Sequence, residues 1–385
     1  MTTLLANRAA SATSTRAFNF SAGPATLPEE VLREAQQDIW DIAGSGVGIL
    51  EHSHRGPLFD RLLHEAVTDC RAVGGVPDTH EVLFIPGGAT LQFGMIPMNF
   101  LHPGGVADYL DTGVWAHKAT VEAQRYAETI GAKVNVAFDG RPTRYDHVPA
   151  DDEIRPSDNA TYFHYCSNNT VFATQFARPP FGVDSPRWAK TGLVCDASSD
   201  IFARPWDVAH HAMIYASGQK NLGPSGMVLV VIRRDFMAHA RRGNVSMLDY
   251  RTYHEGESRP NTPNSWGIYL MGRVFKWIIR QGGVAALAKR NAEKARILYD
   301  AIDSSGGFYT GLARLASRST MNVSFRLPTP ELDDRFAIEA AKEGLDGLKG
   351  HRDAGGIRAS IYNPMPREGC EALAGFMREF SRRNG

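Results

Sequence analysis

The sequence predicts an α/β fold around a mainly parallel sheet, followed by a smaller α+β unit, and three observations lead there. Short apolar runs of strand character alternate with amphipathic helical stretches from about residue 80 onwards. Polar or glycine-rich tips follow those runs, and ligands of open α/β sheets bind at the carboxyl ends of strands. The chain has 385 residues, enough for two or three domains with a substantial core.

Residues 1–17 carry Arg8 and Arg16, many Ser, Thr and Ala, and no acid precedes Glu29. A mitochondrial transit peptide and an untargeted flexible leader share that composition, and the segment is set apart from the fold as a leader. Folding signals begin at Phe18-Asn19-Phe20-Ser21-Ala22-Gly23-Pro24. Pro28, Glu29 and Glu30 then open a helix whose Val31, Leu32, Ala35 and Ile39 keep a helical period until the glycines of 44–48. Glu51-His52-Ser53-His54-Arg55-Gly56 is a polar turn before a second helix through Leu58, Leu62, Leu63 and Val67.

The alternation follows. A strand at 82–85 ends in Pro86-Gly87-Gly88 and precedes a helix over 90–100. A strand at 107–110 precedes an amphipathic helix opened by Trp115 and running to 130, and 133–136 is a further strand. The apolar stretch 162–165 runs into Cys166-Ser167-Asn168-Asn169-Thr170, and 193–196 runs into Ala197-Ser198-Ser199-Asp200. Buried strands at 213–216 and 227–232 flank Ser217-Gly218-Gln219-Lys220-Asn221-Leu222-Gly223-Pro224-Ser225-Gly226. Helices over 266–279 and 284–302 lead to a strand at 321–325, a helix over 331–343, the segments 345–349 and 356–362, and a last helix over 368–382.

Composition narrows the function classes. Lys plus Arg and Asp plus Glu are 42 each, so the net charge of zero lends no support to nucleic-acid or membrane binding. Cys70, Cys166, Cys195 and Cys370 are scattered without a C-x-x-C pair or a zinc spacing, which suits free thiols in a reducing compartment. Apolar runs stay well short of the roughly 20 residues of a membrane span.

The chemistry centres on Lys220. A lone lysine among glycines and Ser, Gln and Asn side chains is either a polar hairpin tip or the anchor of pyridoxal phosphate as a Schiff base. That cofactor needs a carboxylate beside its pyridine nitrogen, and Asp196 at a strand end fits, although it could also cap a helix. Its phosphate needs backbone N–H groups at a helix start, which Gly87-Gly88-Ala89-Thr90 offers; the turn is not a Walker loop. Trp115 could stack on the ring or belong to the core. His54-Arg55, and Lys349-Gly350-His351-Arg352 with Arg358, could bind acidic substrates through guanidinium forks or be solvated surface.

In order along the chain, Phe18-Asn19-Phe20-Ser21-Ala22-Gly23-Pro24-Ala25, Ser53-His54-Arg55-Gly56, Gly87-Gly88-Ala89-Thr90-Leu91-Gln92-Phe93, Gly218-Gln219-Lys220-Asn221-Leu222-Gly223-Pro224-Ser225-Gly226, Leu348-Lys349-Gly350-His351-Arg352 and Gly355-Gly356-Ile357-Arg358-Ala359-Ser360-Ile361-Tyr362-Asn363 resemble the phosphoserine aminotransferase family. The resemblance covers everything after the leader. It implies a fold-type I PLP-dependent transferase of the class V group, acting as a homodimer with shared active sites. It further implies a large PLP-binding domain over 31–279 and a small domain formed by 18–30 with 280–385. By resemblance Lys220 is the Schiff-base lysine, Asp196 the pyridinium partner, Trp115 the stacking residue and Thr170 a hydroxyl near the ring's phenolic oxygen. Ala89, Thr90 and Gln219 match the phosphate cup, and Asn261 and Thr262 match a pair reaching the phosphate of the neighbouring subunit. His54 and Arg55 match substrate-binding positions, with Arg55 on glutamate; His351 and Arg352 match the distal-anion site, and Arg358 the α-carboxylate clamp.

One departure is visible, because some members carry an arginine where this chain has Thr90. The activity implied is reversible transamination of 3-phosphohydroxypyruvate with glutamate, in serine biosynthesis, in the cytoplasm; some relatives also act on a phosphohydroxythreonine in vitamin B6 synthesis. A cysteine desulfurase, a small-substrate glyoxylate transaminase and a non-catalytic scaffold are the rivals. Trp115, the Lys349-to-Arg358 cluster and the pairing of Lys220 with Asp196 count against them in turn.

Overall fold

The computed structural model describes residues 16–385, so the leader reading lies almost wholly outside the described residues. A seven-stranded sheet carries the molecule. Its strands are β1 (His80–Pro86), β2 (Val106–Asp111), β3 (Lys133–Asp139), β4 (Tyr162–Cys166), β5 (Gly192–Asp196), β6 (Met213–Ser217) and β7 (Met227–Arg233). Their spatial order is β1-β7-β6-β5-β4-β2-β3. Neighbours pair in parallel from β6 through to β3, while β7 alone runs antiparallel to both β1 and β6. Each predicted strand is present, within one to three residues of its expected bounds.

Alternation along the strands divides the core into two layers. Val82, Phe84, Phe163, Tyr165, Leu193, Cys195, Ile214, Leu229 and Val231 face one apolar cluster. Leu83, Ile85, Tyr109, Tyr162, Val194, Met213, Tyr215, Val228 and Val230 face the other. A sheet buried on both faces explains the near-continuous apolar runs. Helices α1 (Glu29–Trp40) and α2 (Pro57–Gly74), with the helix Ser265–Arg280, cover the first face. Helices α3 (Ala89–Phe100) and α4 (Val114–Ile130) cover the second.

A third core joins the two ends of the chain. Phe20 packs with Leu298, Val323, Phe336, Ile357, Leu373 and Phe380. Phe18 and Asn19 pair in parallel with Leu345 and Asp346, and Asn322–Arg326 pairs antiparallel with Ile357–Ser360.

Candidate active site

The carboxyl ends of all the strands except the antiparallel β7 fall on one edge of the sheet. β1 ends at Pro86 and turns through Gly87 and Gly88 into α3; β2 ends at Asp111 and turns through Gly113 into α4; β5 ends at Asp196 and β6 at Ser217. Gly87 takes a φ of +99°, in the left-handed region that glycine adopts without penalty. The edge encloses a cavity of about 290 Å³ lined by Ala89, Thr90, Trp115, Thr170, Asp196, Gln219 and Lys220, among others. Seven residues that the sequence singled out, spread over more than a hundred positions, therefore meet in one place.

Lys220 sits in the connection between antiparallel β6 and β7, so the stretch is a hairpin tip and a cavity wall at once. It is not a solvated tip. Gly218 N–H donates to Met227 O at 2.8 Å, Ala25 N–H donates to Gln219 O at 2.9 Å, and Asn363 N–H donates to Asn221 Oδ1 at 2.9 Å. Leu222 is fully buried and Lys220 only 8 % exposed. Lys220 Nζ donates to Thr170 Oγ1 at 2.8 Å and makes no other hydrogen bond among the described residues. A second buried lysine, Lys294, gives the contrast: its Nζ donates to the carbonyls of Ile361, Tyr362 and Met365 at 2.8–3.0 Å. Lys294 is spent on structure, whereas Lys220 keeps N–H capacity turned to a cavity.

Asp196 is buried at the end of β5, and burial raises its pKa; its bonds to Ser198 and the charge of Lys220 act in the opposite direction. Ser198 N–H donates to Asp196 Oδ1 at 2.9 Å. A cationic N–H arriving beside this carboxylate would relieve the desolvation that burial imposes. The phosphate end is equally well matched. α3 begins without a side-chain cap, so its first N–H groups lack helical partners. Ala89 N–H reaches Ser217 Oγ at 3.4 Å, and Ser217 Oγ in turn bonds Gln219 Oε1 at 2.5 Å. Gly88 leaves room, since a Cβ there would stand 3.2 Å from Ser217 Oγ. A buried amine, a buried carboxylate, an aromatic wall and an uncapped helix start are the donor set that pyridoxal phosphate requires, and the residues present fit it.

The outer cations divide into two groups. His351, Arg352, Arg358 and Lys118 lie close enough together that the three others depress the pKa of His351, after burial and against the opposing pull of Asp353. Lys118 Nζ stands 4.5 Å from the Trp115 ring centroid. Arg358 has its pKa lowered by burial, and its Nε is buried without a hydrogen-bond partner among the described residues. His54 and Arg55 are elsewhere: they line an open recess with Asp60, Glu255, Glu257 and Arg259, away from the Lys220 cavity. Asn261 and Thr262 are exposed, just beyond Arg259 in the same loop. His54 Nε2 is buried and unpartnered among the described residues.

Reading the sequence did not mark Ser217, Ser198 and Asn168, which line the cavity, or Lys118, which stands beside Trp115 and acts on His351. Ser217 had a signal, a hydroxyl at the mouth of the lysine turn; Lys118, one turn beyond Trp115 on α4, had one as well. Asn168 had none, because its Nδ2 bonds Ser199 and Asn322, 31 and 154 positions away.

Residues 17–373 match the family model for aminotransferase class-V. A phosphoserine aminotransferase of Geobacillus kaustophilus is 45% identical over 96% of this chain and 99% of its own length. Among solved structures, phosphoserine aminotransferase from Bacillus circulans subsp. alkalophilus superposes with a TM-score of 0.91 at 45% identity, over 97% of this chain and 100% of that one. A PLP-bound phosphoserine aminotransferase from Trichomonas vaginalis gives a TM-score of 0.88 at 36% identity, over 94% of this chain and 100% of its own.

Proposed function

The chain belongs to the class-V aminotransferase family, and from that premise we propose that it transfers an amino group reversibly between glutamate and 3-phosphohydroxypyruvate, yielding 2-oxoglutarate and O-phosphoserine. The observation that carries this reading is Lys220, a buried amine with one hydrogen bond, facing a cavity that also holds Asp196 and an uncapped helix start. Pyridoxal phosphate, when bound, supplies an electron-accepting ring that acidifies the proton on the substrate Cα.

The chain's own residues do the rest. The Lys220 amine takes the proton from Cα and returns it on the other side of the exchange, and Thr170 orients the amine. Asp196 would keep a proton on the cofactor's ring nitrogen, Trp115 would cover a ring face, and Ala89, Thr90, Ser217 and Gln219 would hold the phosphate, since all of them line the cavity. Arg358 clamps the α-carboxylate with its unpaired guanidinium edge, while His351 and Arg352 take the distal anion. Thr90 brings no guanidinium to the substrate phosphate, so either the affinity for that group is lower or Lys118 and the His351 cluster supply the charge.

His54, Arg55, Asn261 and Thr262 serve the site of a second copy in a homodimer with shared active sites. Their place outside the Lys220 cavity supports this, as does the exposed apolar surface just before them, with Trp40 at 86 % exposure and Ile39, Val47 and Leu50 beside it in sequence. We divide the chain into a large domain over 31–279 and a small one from 18–30 and 280–385, on the support of the shared core of Phe20 and the C-terminal elements. No helix among the described residues is long and apolar enough to cross a membrane, and all four cysteines are free and buried; the reading is a cytoplasmic enzyme of serine synthesis.

A desulfurase is disfavoured by Cys166, which lines the cavity but is fixed at the end of β4, donates to Asn168 O at 3.4 Å and has its pKa raised by burial. The deciding experiment is spectroscopic. The purified protein should show a visible band of lysine-bound cofactor that borohydride abolishes, that glutamate bleaches and that 3-phosphohydroxypyruvate restores. A colourless protein in excess PLP, or equal restoration by glyoxylate, overturns the assignment.

A further inference from the structure

Asp196 has neighbours besides Ser198 on the strands that flank β5. On the neighbouring strand β6, Tyr215 stands in register with Asp196, is fully buried, and favours the ionised form of the Asp196 carboxylate. On β4, His164 places Nε2 2.9 Å from the same Tyr215 hydroxyl. His164 is itself buried, and its ring stacks on Tyr109 with centroids 4.7 Å apart, which fixes the imidazole plane. Its other nitrogen, Nδ1, has no partner among the described residues.

The 2.9 Å contact and the unpartnered Nδ1 set the direction of the bond between His164 and Tyr215. Burial lowers the His164 pKa to about 3, so the ring is neutral and carries one N–H. An N–H on Nδ1 would be a buried donor without an acceptor, the rarer and costlier kind of orphan; a bare Nδ1 leaves only an acceptor unmet. The proton therefore sits on Nε2 and is donated to the Tyr215 oxygen. Tyr215 is then left with its own proton to donate, and the carboxylate in register with it on the adjacent strand is that of Asp196.

We propose that His164 and Tyr215 form a one-way hydrogen-bond relay, His164 Nε2–H to Tyr215 O and Tyr215 O–H to Asp196, that positions the Asp196 carboxylate and keeps it ionised beside the cofactor's pyridine nitrogen. Both are positioning residues, since neither lines the cavity. No proton is transferred along the relay; the two donor dipoles point the same way and reinforce each other in a low-dielectric layer. Without them Asp196 would face its burial with Ser198 and Lys220 alone, and a neutral carboxyl could not hold the ring nitrogen protonated.

The inference rests on the cofactor reading above, and its test separates the two. Apo-protein is reconstituted with PLP labelled with ¹⁵N in the pyridine ring, and the nitrogen resonance is recorded for the unmodified chain and for Tyr215→Phe, His164→Leu, His164→Gln and Asp196→Asn. The unmodified chain should show a protonated ring nitrogen. Tyr215→Phe and His164→Leu should move the resonance toward the unprotonated position and weaken PLP binding about tenfold or more, the scale of a lost bond to a charged group. His164→Gln, which keeps a donor, should stay near the unmodified chain. If Tyr215→Phe and His164→Leu leave the resonance in place while Asp196→Asn moves it, the relay is wrong and the function stands. If the unmodified chain binds no PLP, the function falls and takes the relay with it. Should Tyr215→Phe fail to fold, the leucine and glutamine variants at His164 decide between the same two answers.

Discussion

At the scale of single residues, Lys220 and Lys294 differ in how fully their amines are occupied by hydrogen bonds. Both are removed from water, but Lys294 has three carbonyl partners and Lys220 has one hydroxyl. Lys220→Ala should therefore keep the thermal melting temperature of the apo-protein within a few degrees while cutting turnover by at least ~10²-fold, the low end of what a positioned acid–base group supplies; normal turnover in this variant removes Lys220 from the chemistry. Arg358 makes a different prediction. Every substrate of a transaminase shares an α-carboxylate, so Arg358→Ala should lower kcat/KM for glutamate and for 3-phosphohydroxypyruvate alike, by roughly 10²-fold for a lost charge-assisted fork. A loss confined to one substrate would place Arg358 at the distal anion instead.

At the scale of elements, the β6–β7 connection decides whether the lysine is usable. Its first residue, Gly218, has no space for a side chain: a Cβ would stand 2.4 Å from Pro224 O and 3.2 Å from Met227 O, both backbone atoms that cannot step aside. Gly218→Ala should cost about 1–3 kcal/mol of stability in urea unfolding, in the range for overpacking, and should weaken PLP binding by displacing Gln219 and Lys220 together. An alanine variant with unchanged stability and affinity would mean that the turn is softer than its contacts indicate. The neighbouring α3 makes a complementary contribution through its backbone, since its first N–H groups carry no side-chain cap whatever side chain stands at position 90.

At the scale of the whole molecule, two properties emerge that no single element carries. The first is pH sensitivity. Burial depresses the pKa of His164 to about 3 and of His211 to about 4, below the unfolded value of 6.5. Below pH 6.5 the unfolded chain binds protons that the fold refuses, so this stabilisation is complete above 6.5 and is lost as pH falls towards 4. Burial raises Asp196 and Asp200 and opposes the trend; the histidine share is isolated by comparing urea midpoints at pH 7 and pH 4.5, where His211→Gln should show a shallower decline than the parent. Equal slopes would refute it. The second is the proposed sharing of the site between copies. Mixing inactive Lys220→Ala and inactive Arg55→Ala chains, with unfolding and refolding together, should restore about a quarter of the sites, because half the dimers are mixed and each mixed dimer keeps one intact site. No recovery would mean that Arg55 serves its own chain.

Much of this protein was readable from its residues. The alternation of apolar runs and amphipathic stretches determined an α/β sheet buried on both faces, because side-chain period is a local property of strands and helices. The residue types at turns marked Lys220, Asp196, the Gly87-to-Thr90 turn and Trp115, because imine formation, charge stabilisation, phosphate binding and ring stacking each demand a particular group at a strand end, while Thr170 came only from the family resemblance. Only the tertiary structure decided the rest. His164 and Tyr215 read as ordinary strand residues, and nothing local says that their polar atoms align behind Asp196 across three adjacent strands. His54 and Arg55 read as companions of the Lys220 site, yet they stand apart from it in the fold. The reason is the same in both cases: which polar groups share a layer, and which stay apart, is set by strand order and register, and those depend on pairings between segments distant in the chain.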